Sequence, residues 1–416
     1  MLLESVRVRW AHLDRWAKAA VIAWAMILLF VCGRPVALAR GYGVFPIFAR
    51  AARNWSAGRD VYAAAGDPYR YSPLVTASFV PLSLLPEYLG GMVWRLMGAA
   101  ILLGALTWWC RKALPVRLTS RQQAWFFLLI IPLTVGSLNN GQSNPLVLGL
   151  LLAAGASVAE RRWNLASVFL AVACLFKLYP IAVALLMVAA YPRRLALRLT
   201  IALGLGFGVP FLLQDPTYVS DQYAGWMHHL ATDRRQNWPV ERGYRDLRML
   251  CQVWLTAPGQ RTYLIVQLFA AGTVAILCLA RGLRRRQPRL FLTRVLGLGS
   301  CWMTVFGPAT ESCTYIFLAP GLAWALLQTR LRECGMVWQT MVFASYALFV
   351  TSQAMLWFPA GNRFTSLGTQ PFAGLILFGC LVADCRKDRK KIETEGEWER
   401  HDVVSAGEMA SNYQEV

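Results

Sequence analysis

An all-α integral membrane protein, a polytopic helical bundle, is the fold this sequence predicts, on three observations. Of 416 residues, 56% are hydrophobic and 15% charged, against roughly 25% charged in an average soluble domain, so the chain has too little polar surface to cover itself in water. Apolar runs of roughly 15 to 23 residues recur from Val21 to Val382, a length that matches the bilayer core when helical. Basic residues gather in the short links between those runs, at Arg161 and Arg162, at Arg193 and Arg194, and at Arg281, Arg284, Arg285 and Arg286. That is the positive-inside pattern, and it orients the chain. A net charge of +20 would elsewhere raise the question of nucleic acid. With the charge confined to links, no nucleic-acid partner is expected and the partner is the lipid bilayer.

The N-terminus carries Arg7, Arg9, Arg15 and Lys18, which places it in the cytoplasm. The first run, Ala19 to Leu38, is long for the apolar region of a signal peptide and lacks a convincing cleavage site, so it is read as a retained helix. It leads into a first external loop, about residues 40–72. There Phe45, Phe48, Ala52 and Trp55 recur at helical spacing, a short amphipathic helix lying at the membrane interface or packed on protein. Pro73 to Leu85 is too short, and with Pro73, Pro81 and Pro86 too broken, for an ordinary span, and is read as re-entrant or a half-helix. Spans follow at Tyr88 to Cys110, Gln122 to Leu138, Pro145 to Ala159, Trp163 to Phe176, Leu178 to Ala190 and Leu195 to Leu213. A polar external segment, Gln214 to Gln260, precedes Arg261 to Ala280, Leu290 to Phe306, Cys313 to Gln328, Gly335 to Gln353 and Gly368 to Ala383. About 12 transmembrane helices bring both termini and every Arg-rich link to the cytoplasmic side. Residues 1–385 form one polytopic domain, and residues 386–416, basic and then acidic, form a cytoplasmic tail expected to be disordered.

Most of the ten cysteines lie inside apolar runs, where a thiol behaves as a small hydrophobe. No spacing suggests zinc, haem or a disulfide framework. His228 and His229 are adjacent and on a helix point in different directions, so neither a metal nor any other cofactor is expected.

This topology gathers polar side chains from four separate places onto the external side. The first loop supplies Arg59, Asp60, Tyr62, Asp67, Tyr69, Arg70 and Tyr71; a tight turn supplies Asn139, Asn140, Gln142 and Asn144; two later links supply Lys177 with Tyr179, and Glu311. A lysine between two apolar runs is costly unless it reaches an interface, a cavity or an anion. A simple turn would explain Asn, Gly and Pro in the second group, and Gln142 is the residue it explains least. Glu311 either binds substrate or is merely solvated. Asp60 and Asp67 stand among arginine and aromatic side chains. A carboxylate there can take a proton from an acceptor hydroxyl while Arg and Lys hold a phosphate leaving group. It can equally pair with Arg59 or Arg70 and order the loop. Trp55, Tyr62, Tyr69 and Tyr71 offer faces on which a sugar ring stacks.

The strings Gly58-Arg-Asp-Val-Tyr62, Tyr69-Arg-Tyr-Ser-Pro73 and Pro81-Leu-Ser-Leu-Leu-Pro86 resemble the first-loop signature of glycosyltransferase family 87. The Gly141-Gln142 turn and Phe176-Lys-Leu-Tyr-Pro180 resemble the family's later pattern, and the likeness covers about residues 20–330. The family's best-understood members are polyprenol-phosphate-mannose-dependent mannosyltransferases. The resemblance implies a GT-C-like bundle in the cell membrane, with its catalytic site on the non-cytoplasmic face. It implies a polyprenyl-phosphate-linked sugar donor, a glycan or glycolipid acceptor, and inversion by direct displacement. An acidic residue of the first loop would be the base. One departure matters: the family commonly carries Asp just before the aromatic residue that opens its first-loop helix, and here Val44 precedes Phe45. The expectation is therefore Asp60 or Asp67 as base and Arg59, Arg70 and Lys177 on the phosphate. Tyr71, Asn140 and Gln142 would hold the sugar, with Tyr62, Tyr179 and Glu311 also in the substrate site. A transporter or flippase of a lipid-linked or anionic solute would need a similar basic cavity, but no repeated half is visible.

Overall fold

The computed structural model describes residues 13–38, 42–63, 69–233, 235, 238–241, 243–279, 287–307, 310–331, 334–358 and 361–384. Every regular element among them is helical. Asp67, the link at Arg281 to Arg286, Arg7, Arg9 and the tail 386–416 lie outside the described residues.

Helix α1 (Arg15–Ala37) starts at Asp14, whose carboxylate accepts from the Trp16 and Ala17 amides and so satisfies two donors that a helix start leaves open. Helix α2 (Phe45–Ser56) buries Phe45, Phe48, Ala52 and Trp55, and Phe48 stacks on Phe79 with ring centroids 4.4 Å apart. Of the two readings of this amphipathic stretch, the structure shows the one in which its apolar face packs on protein. The proline-broken stretch forms two short helices, α3 (Pro73–Ser78) and α4 (Val80–Ser83), parted at Phe79. At about 1.5 Å per residue neither approaches the roughly 30 Å of a bilayer core.

Helices α5 (Glu87–Lys112), α6 (Ser120–Asn139), α7 (Asn144–Ala159), α8 (Trp163–Phe176), α9 (Ile181–Ala190) and α10 (Pro192–Gly208) follow. The polar segment 214–260 is itself largely helical, as α11 (Pro216–Thr232) and α12 (Leu247–Trp254). The chain continues through α13 (Gln260–Leu279), α14 (Pro288–Cys301), α15 (Ala319–Leu331), α16 (Met336–Met355), α17 (Gly361–Ser366) and α18 (Thr369–Asp384). Four of the described helices are long and apolar enough to cross a membrane: α1, α5, α10 with its continuation to Leu212, and α13. Helices α7, α8, α9 and α18 are apolar but shorter. Helix α7 is buried from Asn144 to Val158. It packs closely on α5 because Gly149 and Gly155 admit Ile101 and Trp109 of that helix, the small-residue contact by which helices associate in lipid.

Polar contacts sort the links into two ends of the bundle. At one end Ser120 Oγ donates to Asp14 Oδ2 (2.6 Å), Lys112 and Arg162 pair with Glu160 (2.7 and 3.2 Å), and Trp163 meets Tyr191. The other end gathers 42–44, 69–72, 139–144, 177–179, 233, 235, 238–241, 243–246 and 310–313. The α8–α9 hairpin is short there. Its arms rise about 21 and 15 Å at 1.5 Å per residue, less than the roughly 30 Å core, and Lys177 stands at its tip.

Candidate active site

The 139–144 turn is held from beneath by α5. Arg95 is fully buried and donates to the carbonyls of Gly91, Tyr42 and Asn139, each at 2.9 Å, with a second bond to Asn139 at 3.3 Å. Trp94 Nε1 donates to Gly141 O (2.8 Å), and Val44 N, just before α2, donates to Asn140 O (2.9 Å). Gly141 has φ +67°, the left-handed conformation that glycine adopts without strain. With the backbone fixed in this way, the side chains of Gln142 and Asn144 are free to bind other groups. Asn140 approaches Cys313 through its side chain, Nδ2 to Sγ 4.0 Å.

Asn144 Oδ1 accepts from Lys177 Nζ (2.6 Å) and from Tyr179 Oη (3.2 Å), while its Nδ2 donates to Cys313 O (2.9 Å). Lys177 caps the C-terminus of α8 in extended conformation, which turns its ammonium group between the Tyr71 and Tyr179 rings, 5.8 and 5.6 Å from their centroids. Such faces attract a cation but do not neutralise it. None of the ion pairs among the described residues includes Lys177.

Gln142 Nε2 donates to Glu311 Oε2 (3.2 Å), and Arg235 Nη1 donates to Glu311 Oε1 (2.9 Å). Arg235 also holds Asp233, which accepts from Arg70 Nε (3.0 Å) and Tyr244 Oη (2.9 Å) as well. Burial alone would raise the Asp233 carboxyl; the hydrogen bonds and charge of Arg235, with Tyr244, outweigh it and bring the pKa down to about 2. The strand of chain behind this network is fastened to the Glu311 link, since Arg245 N donates to Thr310 O (2.7 Å) and Tyr315 Oη to Arg245 O (2.7 Å).

The structure thus brings together Tyr71, Asn140, Gln142, Lys177, Tyr179 and Glu311, and joins Arg70 to them through Asp233 and Arg235. Arg59 and Asp60 are exposed at the rim beside α11. Asp60 Oδ1 accepts from Tyr62 N (2.8 Å), and Tyr218 Oη donates to Arg59 O (2.8 Å). Among the described residues, Arg70 pairs with the carboxylate of Asp233. Trp55, Tyr62 and Tyr69 are buried among other side chains, Tyr62 against Tyr69 and His229, which leaves the half-buried Tyr71 as the first-loop ring beside Lys177. Asp233, Arg235, Tyr244 and Arg95 join the site without having been singled out in the sequence. An arginine within an apolar span was a signal; the pairing of Arg235 with a residue 76 positions on had none. Among the described residues no group of three or more His, Cys, Asp or Glu side chains is placed to hold a metal ion.

The fold and this cluster define an integral membrane protein with a polar site at one end of a helical bundle. The chain belongs to glycosyltransferase family 87, whose family model matches residues 69–308, and it is a membrane glycosyltransferase. The match takes in Tyr71, the 139–144 turn, Lys177, Asp233 and Arg235. Among solved structures, ArnT from Cupriavidus metallidurans in the apo state is similar with a TM-score of 0.43 and 15% identity, over 89% of this chain and 77% of that one. ArnT from the same organism bound to undecaprenyl phosphate gives 0.37 and 15%, over 89% and 78%. No curated protein matches the chain.

Proposed function

We propose that this glycosyltransferase takes a mannose-like hexose from a polyprenyl phosphate donor and gives it to a glycan or glycolipid acceptor, inverting the anomeric centre. The observation that carries the reading is Lys177: a cation recessed at the tip of a short helical hairpin, between two phenol rings, with amide and hydroxyl partners. A group so placed is costly in lipid unless an anion joins it. A phosphodiester carries one negative charge, and its leaving group, a phosphate monoester, carries nearly two. A fixed cation therefore stabilises the products and the transition state more than the donor. Tyr71, Tyr179, Asn140 and Gln142 surround the sugar, and Arg59 and Arg70 approach from the first loop. Asp60, Asp67 and Glu311 are the carboxylates from which the base comes.

We place the site on the non-cytoplasmic face of the cell membrane, with about 12 crossings, both termini and the 386–416 tail in the cytoplasm. The support is the segregation of links, because Arg161, Arg162, Arg193 and Arg194 belong to the end opposite the site. The test is purified protein in sealed vesicles with polyprenyl phosphate carrying labelled mannose and a total glycolipid extract. A covalent labelled product supports the reading; label that crosses the membrane with no covalent product makes the protein a flippase.

A further inference from the structure

We infer that Glu311 is the general base of the transfer, the group that takes the proton from the acceptor hydroxyl. The inference rests on the lipid-linked-donor reading above and names the residue that this reading leaves open.

Three features single it out. Its position is built: Glu311 N donates to Thr314 Oγ1 (3.1 Å), Thr314 N donates back to Glu311 O (2.8 Å), and the preceding Thr310 is bonded to Arg245 N. Its carboxylate is oriented, with one oxygen on Gln142 Nε2 and the other on Arg235 Nη1. A carboxylate offers about four lone-pair sites, and with the side chain 43% exposed Glu311 has capacity and access for a substrate hydroxyl. Four other described carboxylates at this end have other partners. Asp233 is 16% exposed and holds Arg70, Arg235 and Tyr244; Asp246 is buried and caps α12 through Met249 N; Glu87 pairs with Arg53; Asp60 caps Tyr62 at the rim.

Glu311 and Lys177 are anchored to the same turn, one to Gln142 and the other to Asn144, two residues apart. In the step, the acceptor oxygen forms a bond to the anomeric carbon as the bond from that carbon to the phosphate oxygen breaks, its electron pair leaving with the phosphate. The hydroxyl proton passes to Glu311. One negative charge thereby moves from Glu311 to the phosphate beside Lys177, and net charge in the site is unchanged. Gln142, the residue turn chemistry explains least, acquires a role as the positioning residue for the base.

The test is single-turnover transfer from polyprenyl phosphate mannose to a glycolipid extract by wild-type protein, Glu311→Gln and Glu311→Ala, with Glu160→Gln at the opposite end as a control. Loss of a positioned base costs about 10²- to 10⁴-fold in rate. That loss is expected in Glu311→Gln with the half-saturating donor concentration changed less than about threefold, as is partial rescue of Glu311→Ala by formate, which a purely structural role would not give. Glu311→Gln within about threefold of wild type, with Asp60→Asn or Asp67→Asn inactive, overturns the assignment while the lipid-linked-donor reading stands. No transfer by the wild-type protein from any polyprenyl phosphate sugar overturns both.

Discussion

At the scale of single residues, the site is a set of charges whose partners are set by packing. Lys177 is the clearest case, because its hydrogen-bond partner is neutral. Replacing it with Met keeps most of the volume and leaves Asn144 bonded to Tyr179. The expected outcome is transfer reduced at least about 100-fold, as for loss of a group that stabilises developing charge, with an unchanged elution profile in detergent. Asp233 behaves oppositely. Its pKa of about 2 lies below the ordinary 3.8, so its stabilising contribution is fully present above about pH 4 and is lost only as pH falls through 2. Asp233→Asn should therefore lower the melting temperature by the same amount at pH 5 and pH 8, which thermal unfolding in detergent checks. Lys177 and Glu311 were legible in the sequence because each interrupts apolar runs at a tight link. Asp233 and Arg235 were not, since nothing in a polar segment of 47 residues (214–260) indicates which of its charges turns inward.

At the scale of elements, two contacts decide whether the site is assembled. Arg95 bridges α5 to two backbone carbonyls outside it, those of Tyr42 and Asn139. Arg95→Met removes the side-chain donor from the Tyr42 and Asn139 carbonyls, at about 1–3 kcal/mol for each acceptor left unpaired; a clear fall in melting temperature and loss of transfer should follow, and Lys, lacking the planar fork, should restore little. Helix α12 carries a second test. Burial raises its N-cap, Asp246, to about 6. With the folded-state pKa above the unfolded value, the folded protein binds the proton more tightly, so stability rises as pH falls from about 7 to 4. An ionised Asp246 costs on the order of 3 kcal/mol, at about 1.4 per pKa unit. Asp246→Asn keeps a capping oxygen and should match or exceed the wild-type melting temperature at pH 8, losing that advantage at pH 5. The apolar runs located α1, α5 to α10, α13 to α16 and α18, because length and composition mark such helices, but not α11, α12 or α17, which lie in polar or short stretches. They could not decide whether α2 lies on lipid or protein, which depends on Phe79 and Tyr71 arriving from another segment.

At the scale of the whole molecule, the bundle separates two kinds of polar end, one basic and plain, the other neutral-to-basic and interconnected. At the interconnected end, the α8–α9 link brings Lys177 against the 139–144 turn through Asn144. The Val44 position, where the resemblance led one to look for the base, instead supplies a backbone bond to Asn140. With the first-loop departure at Val44, the proposed base lies in a link between helices, at Glu311.

The central claim is covalent sugar transfer from a lipid phosphate, and the anomeric configuration of the product tests it most directly. Nuclear magnetic resonance of the glycolipid made by purified protein from polyprenyl phosphate mannose should show the configuration opposite to that of the donor, as a single displacement requires. A product that retains the donor's configuration, or no glycosidic product at all, would contradict the account.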